Sequence, residues 1–186
     1  MSEKVTAAKK EPGMVMLVLV LTLISVIMAF CLGFVNNATK PAITMNDQKA
    51  KETAMQLVLP HDGTYDQVEY AGTDTRVAGV YQAGDEGYVV ETVPTSGFSG
   101  AIVMLTGISA DGAVTGIAVI THAETSGLGS KAKTDPVWQA QFVGTTEPVS
   151  VTKDGGTIES ITGSTITSRA ICDGVNSARA ALAELG

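Results

Sequence analysis

Hydroxyl side chains crowd around one glycine in Ile158 to Ser168 (Ile-Glu-Ser-Ile-Thr-Gly-Ser-Thr-Ile-Thr-Ser), just ahead of an Ala-rich segment with helical patterning. A strand that turns at glycine into a helix presents several backbone N–H groups and the positive end of the helix dipole, a setting that suits a phosphate. The same residues also suit an ordinary Ser/Thr helix cap. No Walker-type lysine follows, so nucleotide hydrolysis is not indicated. A second stretch, His122 to Lys131 (His-Ala-Glu-Thr-Ser-Gly-Leu-Gly-Ser-Lys), puts His122 and Glu124 at the head of a Gly-rich loop. It reads either as an acid–base pair or as a solvated turn; no serine sits on a nucleophile elbow and no cysteine accompanies the histidine. A third, Ser96 to Gly100, holds Phe98 between small residues. The two cysteines, Cys31 and Cys172, and the two histidines, His61 and His122, have no metal-ligand spacing, so no metal site is expected.

These loops need a frame. Met14 to Val35 is 22 residues without a charge; as a helix it extends ~33 Å, enough for a ~30 Å hydrocarbon core. It exceeds the apolar core of a cleaved signal peptide and is expected to stay as a membrane anchor. Asn36 to Pro41 is polar and ends in proline, which predicts the end of that helix. Asn46 can cap a second helix over Asp47–Leu59, closed by Pro60. His61 to Thr75 reads as turns. Strands are predicted over Val77–Ala83, Gly87–Val93, Ala101–Ser109 and Val114–Ala123, with Ala110-Asp111-Gly112 as a hairpin turn. A short helix is expected over Asp135–Phe142, short strands at Val149–Thr152 and Ile158–Ile161, and a long helix over Thr167–Leu185. With no βαβ repetition, the fold class is α+β: one N-terminal transmembrane helix followed by an antiparallel-sheet domain. The organisation is 1–13 a tail, 14–35 the span, 36–60 a linker and helix, and 61–186 the domain.

Charge narrows the functions. With 12 Lys and Arg against 19 Asp and Glu the formal net charge is −7, and aromatic residues make up 5%. Neither clustered cations nor stacking platforms are on offer, so nucleic acid is excluded as a partner. Lysines lie on both sides of the span (Lys4, Lys9 and Lys10 before it; Lys40, Lys49 and Lys51 after), so charge does not orient it.

Taken together the stretches resemble the FMN-binding domain family. Thr162-Gly163-Ser164-Thr165 is similar to that family's (Ser/Thr)-Gly-Ala-Thr flavinylation motif, and His122 to Gly129 resembles its His-x-Glu-Thr-Pro-Gly-Leu-Gly stretch. Gly97-Phe98-x-Gly100 and Trp138 to Phe142 follow the same order. The single anchor and short chain resemble, within the family, the G subunits of Rnf-type electron-transport complexes, which are related to the C subunits of Na+-translocating NADH:quinone reductases. The resemblance implies FMN joined as a phosphoester to the Thr165 hydroxyl by a separate flavin transferase. It implies Thr162, Gly163, Ser164 and Thr167 around the phosphate, and His122, Glu124, Thr125 and Leu128 beside the ring. It also implies a cytoplasmic-membrane protein with its N-terminus inside and the bulk of the chain extracytoplasmic. The implied partners are membrane and peripheral subunits, a second flavin subunit and iron–sulfur subunits among them. Two positions depart from the motif: Ser164 stands for alanine, and Glu159 where aspartate is usual. A third, Ser126 for proline, lies in the Gly-rich loop.

The expected function is therefore an electron-relay subunit of an ion-translocating ferredoxin:NAD+ oxidoreductase, with no complete reaction of its own. The rival from another class is an extracytoplasmic binding or sensory module without a redox cofactor, Thr165 serving as a plain helix cap. A Thr- or Ser-nucleophile hydrolase is a third reading, short of any base beyond His122.

Overall fold

The absence of glycine between Phe34 and Asp62 favours a helix that does not stop where polarity first rises. In the computed structural model, which describes residues 13–185, the first helix, α1, is continuous over Met14–Val58 with Pro41 inside it. The expected stop at Asn36–Pro41 and the separate helix at Asp47–Leu59 are thus replaced by one element. Pro41 removes one hydrogen bond and crowds the carbonyl four residues back, but the Ala, Met, Gln, Lys and Glu residues that follow are strong helix formers and carry the helix past it. The helix ends at Val58, two residues before Pro60. Of the expected tail, Lys4, Lys9 and Lys10 lie outside the described residues.

The chain divides into two units, one up to Asp47 and one from Gln48 onward. In the first, every described residue is solvent-exposed, including the apolar side chains of Met14–Val35. So long an uncharged exposed surface, interrupted only by Thr22, Ser25 and Gly33, fits a helix that crosses a membrane.

In the second unit five strands, β1 (Asp66–Val68), β2 (Val77–Ala83), β3 (Gly87–Thr92), β4 (Val103–Ser109) and β5 (Val114–Thr121), form one antiparallel sheet in sequence order. Strand β1 falls in the segment expected to be turns: Asp-Gln-Val is too short and polar to show alternation. It pairs on the edge, Gln67 opposite Tyr81. Short helices α2 (Lys131–Thr134) and α3 (Pro136–Gln139) follow, the latter running into a 3₁₀ turn at Ala140–Phe142. The last helix, α4, is Thr165–Leu185. The short strands expected near Val149 and Ile158 reduce to one parallel bridge, Val151 to Ile158.

Both faces of the sheet are covered, so β4 is buried almost end to end instead of alternating. On one face Met55, Val58 and Leu59 pack on Ala83, Val89, Leu105 and Ala118. Two glycines paired across the strands, Gly107 and Gly116, let the end of α1 rest on the sheet. A Cβ on Gly107 would lie 2.4 Å from the Val58 carbonyl oxygen, which also accepts a hydrogen bond from the Thr115 hydroxyl. On the other face α4 lays Ile171, Val175, Ala178 and Ala181 against Met104, Val80, Val90 and Ile108. Each large apolar side chain so buried contributes ~1.5–3 kcal/mol. Trp138 and Phe142 meet edge to face at 5.2 Å, and the Trp138 indole donates to the Glu159 carbonyl at 2.6 Å, anchoring the segment that leads into α4.

Candidate functional site

The site lies where three segments meet: the chain leaving β5, the Ser96–Gly100 loop, and the first turn of α4. Leaving β5, the Glu124 N–H donates to His122 Nδ1 at 3.1 Å, a tight turn that sends the Glu124 carboxylate inward. Glu124 is only 8% exposed. One oxygen accepts the Ser99 N–H at 3.1 Å and the other the Thr167 hydroxyl at 2.8 Å. A buried carboxylate is tolerated only with such partners, and these two tie it to both neighbouring segments. A Cβ on Gly129 would lie 2.6 Å from Glu124 Oε2 and 2.9 Å from Thr167 Oγ1, so the loop closes over this pair only with glycine there.

The start of α4 follows from Thr162-Gly163-Ser164. Gly163 has φ +78°, a left-handed turn disfavoured for a side chain. The Ser164 N–H then donates to Ile161 at 2.8 Å, and the Ser164 carbonyl accepts both the N–H and the hydroxyl of Ser168, each at 3.0 Å. The Ser168 hydroxyl also accepts the Ile161 N–H at 2.9 Å. Since the first helical bond comes from Ser168, the amides of Thr165, Ile166 and Thr167 precede the bonded turn and keep their donor capacity.

Around these segments lies a cavity of about 360 Å³, lined by Phe98, Glu124, Thr125, Leu128, Gly129, Lys153 and Gly163 to Thr167. Its size is in the range of small-ligand sites. Phe98 is 68% and Leu128 44% exposed, an apolar rim standing in solvent. Thr165 is half-buried, and its hydroxyl oxygen accepts a hydrogen bond from Lys153 Nζ at 3.0 Å. Lys153 is invisible to motif reading because it lies twelve residues before Thr165, where no spacing points to it. Its neighbour Asp154 receives Arg169 in a two-pronged pair, both contacts 2.7 Å, and hydrogen bonding to that guanidinium holds the Asp154 carboxyl below its ordinary range.

The structure thus gathers Glu124, Thr125, Leu128, Gly163, Ser164, Thr165 and Thr167 on one cavity. His122 and Thr162 are not in its lining: His122 serves the turn, and Thr162 is exposed beside it. Thr167 and Glu124 engage each other, so their role in the free protein is to join segments. Unpaired helix amides and a primary ammonium beside the Thr165 hydroxyl make a donor set that fits a phosphate ester, and the exposed apolar rim fits a planar ring.

Residues 97–180 match the model of the FMN-binding domain. The chain is 38% identical over 180 residues to the G subunit of the Na(+)-translocating ferredoxin:NAD(+) oxidoreductase complex of Acetobacterium woodii, covering 85% of this chain and 86% of that one. It is 33% identical to the G subunit of the ion-translocating oxidoreductase complex of Methanosarcina acetivorans, with 87% and 90% covered. With the corresponding G subunit of Vibrio vulnificus it shares 34% identity, with 74% of each chain covered.

Proposed function

This chain belongs to the family of G subunits of ion-translocating oxidoreductase complexes, and from that premise we propose that it is a flavoprotein subunit relaying electrons through FMN carried as a phosphoester on Thr165. The observation that carries the attachment is the placement of the Thr165 hydroxyl on the cavity rim, beside both the Lys153 ammonium and the free amides of α4. Bound FMN supplies reversible electron transfer, chemistry no side chain here provides.

The chain's own residues bind and orient. Thr165 to Thr167 direct amides at the phosphate, and the left-handed turn at Gly163 keeps the approach free of a side chain. Glu124 fixes the Gly-rich loop against α4, which sets where Thr125 and Leu128 stand along the cavity. Phe98 and Leu128 offer apolar contact while leaving the rim open, as a relay that meets partner cofactors requires.

In this reading the apolar stretch Met14–Val35 of α1 is a single membrane span, the domain from Gln48 onward stands on the extracytoplasmic side, and a flavin transferase installs the FMN. The partners are other subunits of the same complex, including iron–sulfur subunits and a second flavin subunit. An exposed helix N-terminus adds only ~0.3–1 kcal/mol toward an anion. A covalent bond therefore suits a site from which lost FMN could not be recovered.

Intact mass of the natively expressed chain tests the proposal. The expected increment is FMN less one water, with in-gel flavin fluorescence surviving denaturation. Thr165→Ala should abolish both and leave a folded, membrane-bound protein, while Thr162→Ala and Ser164→Ala retain label. A bare polypeptide mass in the native host would favour the cofactor-free binding module instead.

A further inference from the structure

We propose that Lys153 is the counter-ion of the phosphate on Thr165, fixing the tethered flavin in one orientation. The inference rests on the attachment at Thr165 and assigns a residue to it that no sequence motif marks.

Three observations carry it. Lys153 Nζ donates to Thr165 Oγ1 at 3.0 Å, so a phosphorus on that oxygen places its free oxygens within reach of the ammonium after a side-chain rotation. Lysine suits this as a mobile point charge with three donors. Second, the turn that carries Lys153 is held on both sides. The Thr152 N–H donates to Ile158 at 2.8 Å and the Ile158 N–H to Ser150 at 3.1 Å, so the parallel bridge sets this turn beside the segment that leads into α4. Asp154 grips Arg169 on the first turns of α4 at 2.7 Å. The backbone of the lysine is thus fixed and its side chain is not committed elsewhere.

Third, the charges divide cleanly. The cavity lining holds two charged residues, Glu124 and Lys153. Both Glu124 oxygens are taken up by Ser99 and Thr167, and Arg169 is taken up by Asp154. Lys153 is left as the lining cation facing Thr165. A phosphodiester keeps one negative charge, and one ammonium balances it. Two flexible contacts, the ester and the ion pair, restrict the flavin where the ester alone would let it swing.

The test uses the full chain co-expressed with its flavin transferase and purified in detergent. Intact mass reports loading, and time-resolved anisotropy of the flavin reports its freedom, in low salt and in 1 M NaCl. Loaded wild-type protein should show slow flavin rotation that quickens in high salt. Lys153→Ala should show fast rotation in both, or loading roughly three- to tenfold slower. Lys153→Arg should restore the wild-type pattern, and Lys153→Glu should be worse than alanine. Equal loading and equal anisotropy in wild type and Lys153→Ala would overturn the inference while leaving the Thr165 attachment intact. Wild-type protein without the FMN mass would overturn the attachment itself, and the counter-ion with it. Lys153 is exposed, so a thermal melt matching wild type is expected and separates loss of pairing from loss of fold.

Discussion

Glu124 is the residue on which the site's geometry turns, because its two oxygens join segments that share no strand. Removing the carboxylate in Glu124→Ala leaves the Thr167 hydroxyl without its partner in a buried place and releases the N–H of the exposed Ser99. That should cost about 1–3 kcal/mol in urea unfolding. Thr167→Val strips one donor and leaves the carboxylate under-satisfied. Because both substitutions break the same bond, the double variant should be less destabilised than the sum of the two singles. Additive values would show that Glu124 and Thr167 do not interact. A second residue-scale expectation concerns acid. Asp74 accepts the Arg76 backbone N–H at 3.0 Å and its guanidinium at 2.8 and 2.9 Å. Hydrogen bonding to that guanidinium lowers the Asp74 carboxyl to about 2. The ionised form is thus the one the fold prefers: its stabilisation is complete above the ordinary value of 3.8 and fades as pH falls toward 2. Arg76 is half in solvent, which holds the effect to about 1 kcal/mol. Asp74→Asn should flatten the stability curve between pH 4 and 2, and an unchanged slope would remove Asp74 from the account.

Among the elements, those with strong periodicity or firm punctuation were legible, and those made by tertiary contact were not. The strands β2 to β5 stood out because β-branched runs end at Gly-rich turns, and the Asp111-Gly112 hairpin is local chemistry. The edge strand β1, three residues of Asp-Gln-Val, exists through its partner β2 and carries no pattern of its own. Pro41 misled as a stop because the helix-forming residues on its C-terminal side carry α1 past it, despite a local cost of about 3 kcal/mol. In the site, the Thr162–Thr165 and His122–Gly129 stretches were visible as motifs. The Lys153 contact was not, since the bridge between Val151 and Ile158 creates it. The glycine pair under the end of α1 yields a graded expectation. Alanine at Gly107 places its Cβ 2.4 Å from a backbone oxygen that cannot yield, whereas at Gly116 the nearest atom is 3.1 Å away. Gly107→Ala should therefore cost about 1–3 kcal/mol and Gly116→Ala clearly less. Equal thermal midpoints for the two variants would mean that α1 does not press on the sheet at this point.

For the whole molecule the proposed orientation, with the domain from Gln48 onward outside, makes a prediction about chemical access. Charge on either side of the apolar span does not decide it, since lysines flank both ends. The two native cysteines make the test clean. Cys172 is 3% exposed on α4, and burial pushes its thiol up to about 12, so almost no reactive thiolate exists at neutral pH. Cys31 lies within the apolar stretch, out of reach of an impermeant reagent once the helix is in lipid. A cysteine introduced at Asn37, just beyond that stretch, therefore reports alone. With the domain outside, Asn37→Cys should react with a membrane-impermeant maleimide in intact cells, and Ser2→Cys should react only after the cells are opened. Protection of Asn37→Cys with labelling of Ser2→Cys in intact cells would place the domain in the cytoplasm, where free FMN can be rebound. The case for a covalent tether on Thr165 would then lose its physical motive, and only the mass of the native chain could sustain it.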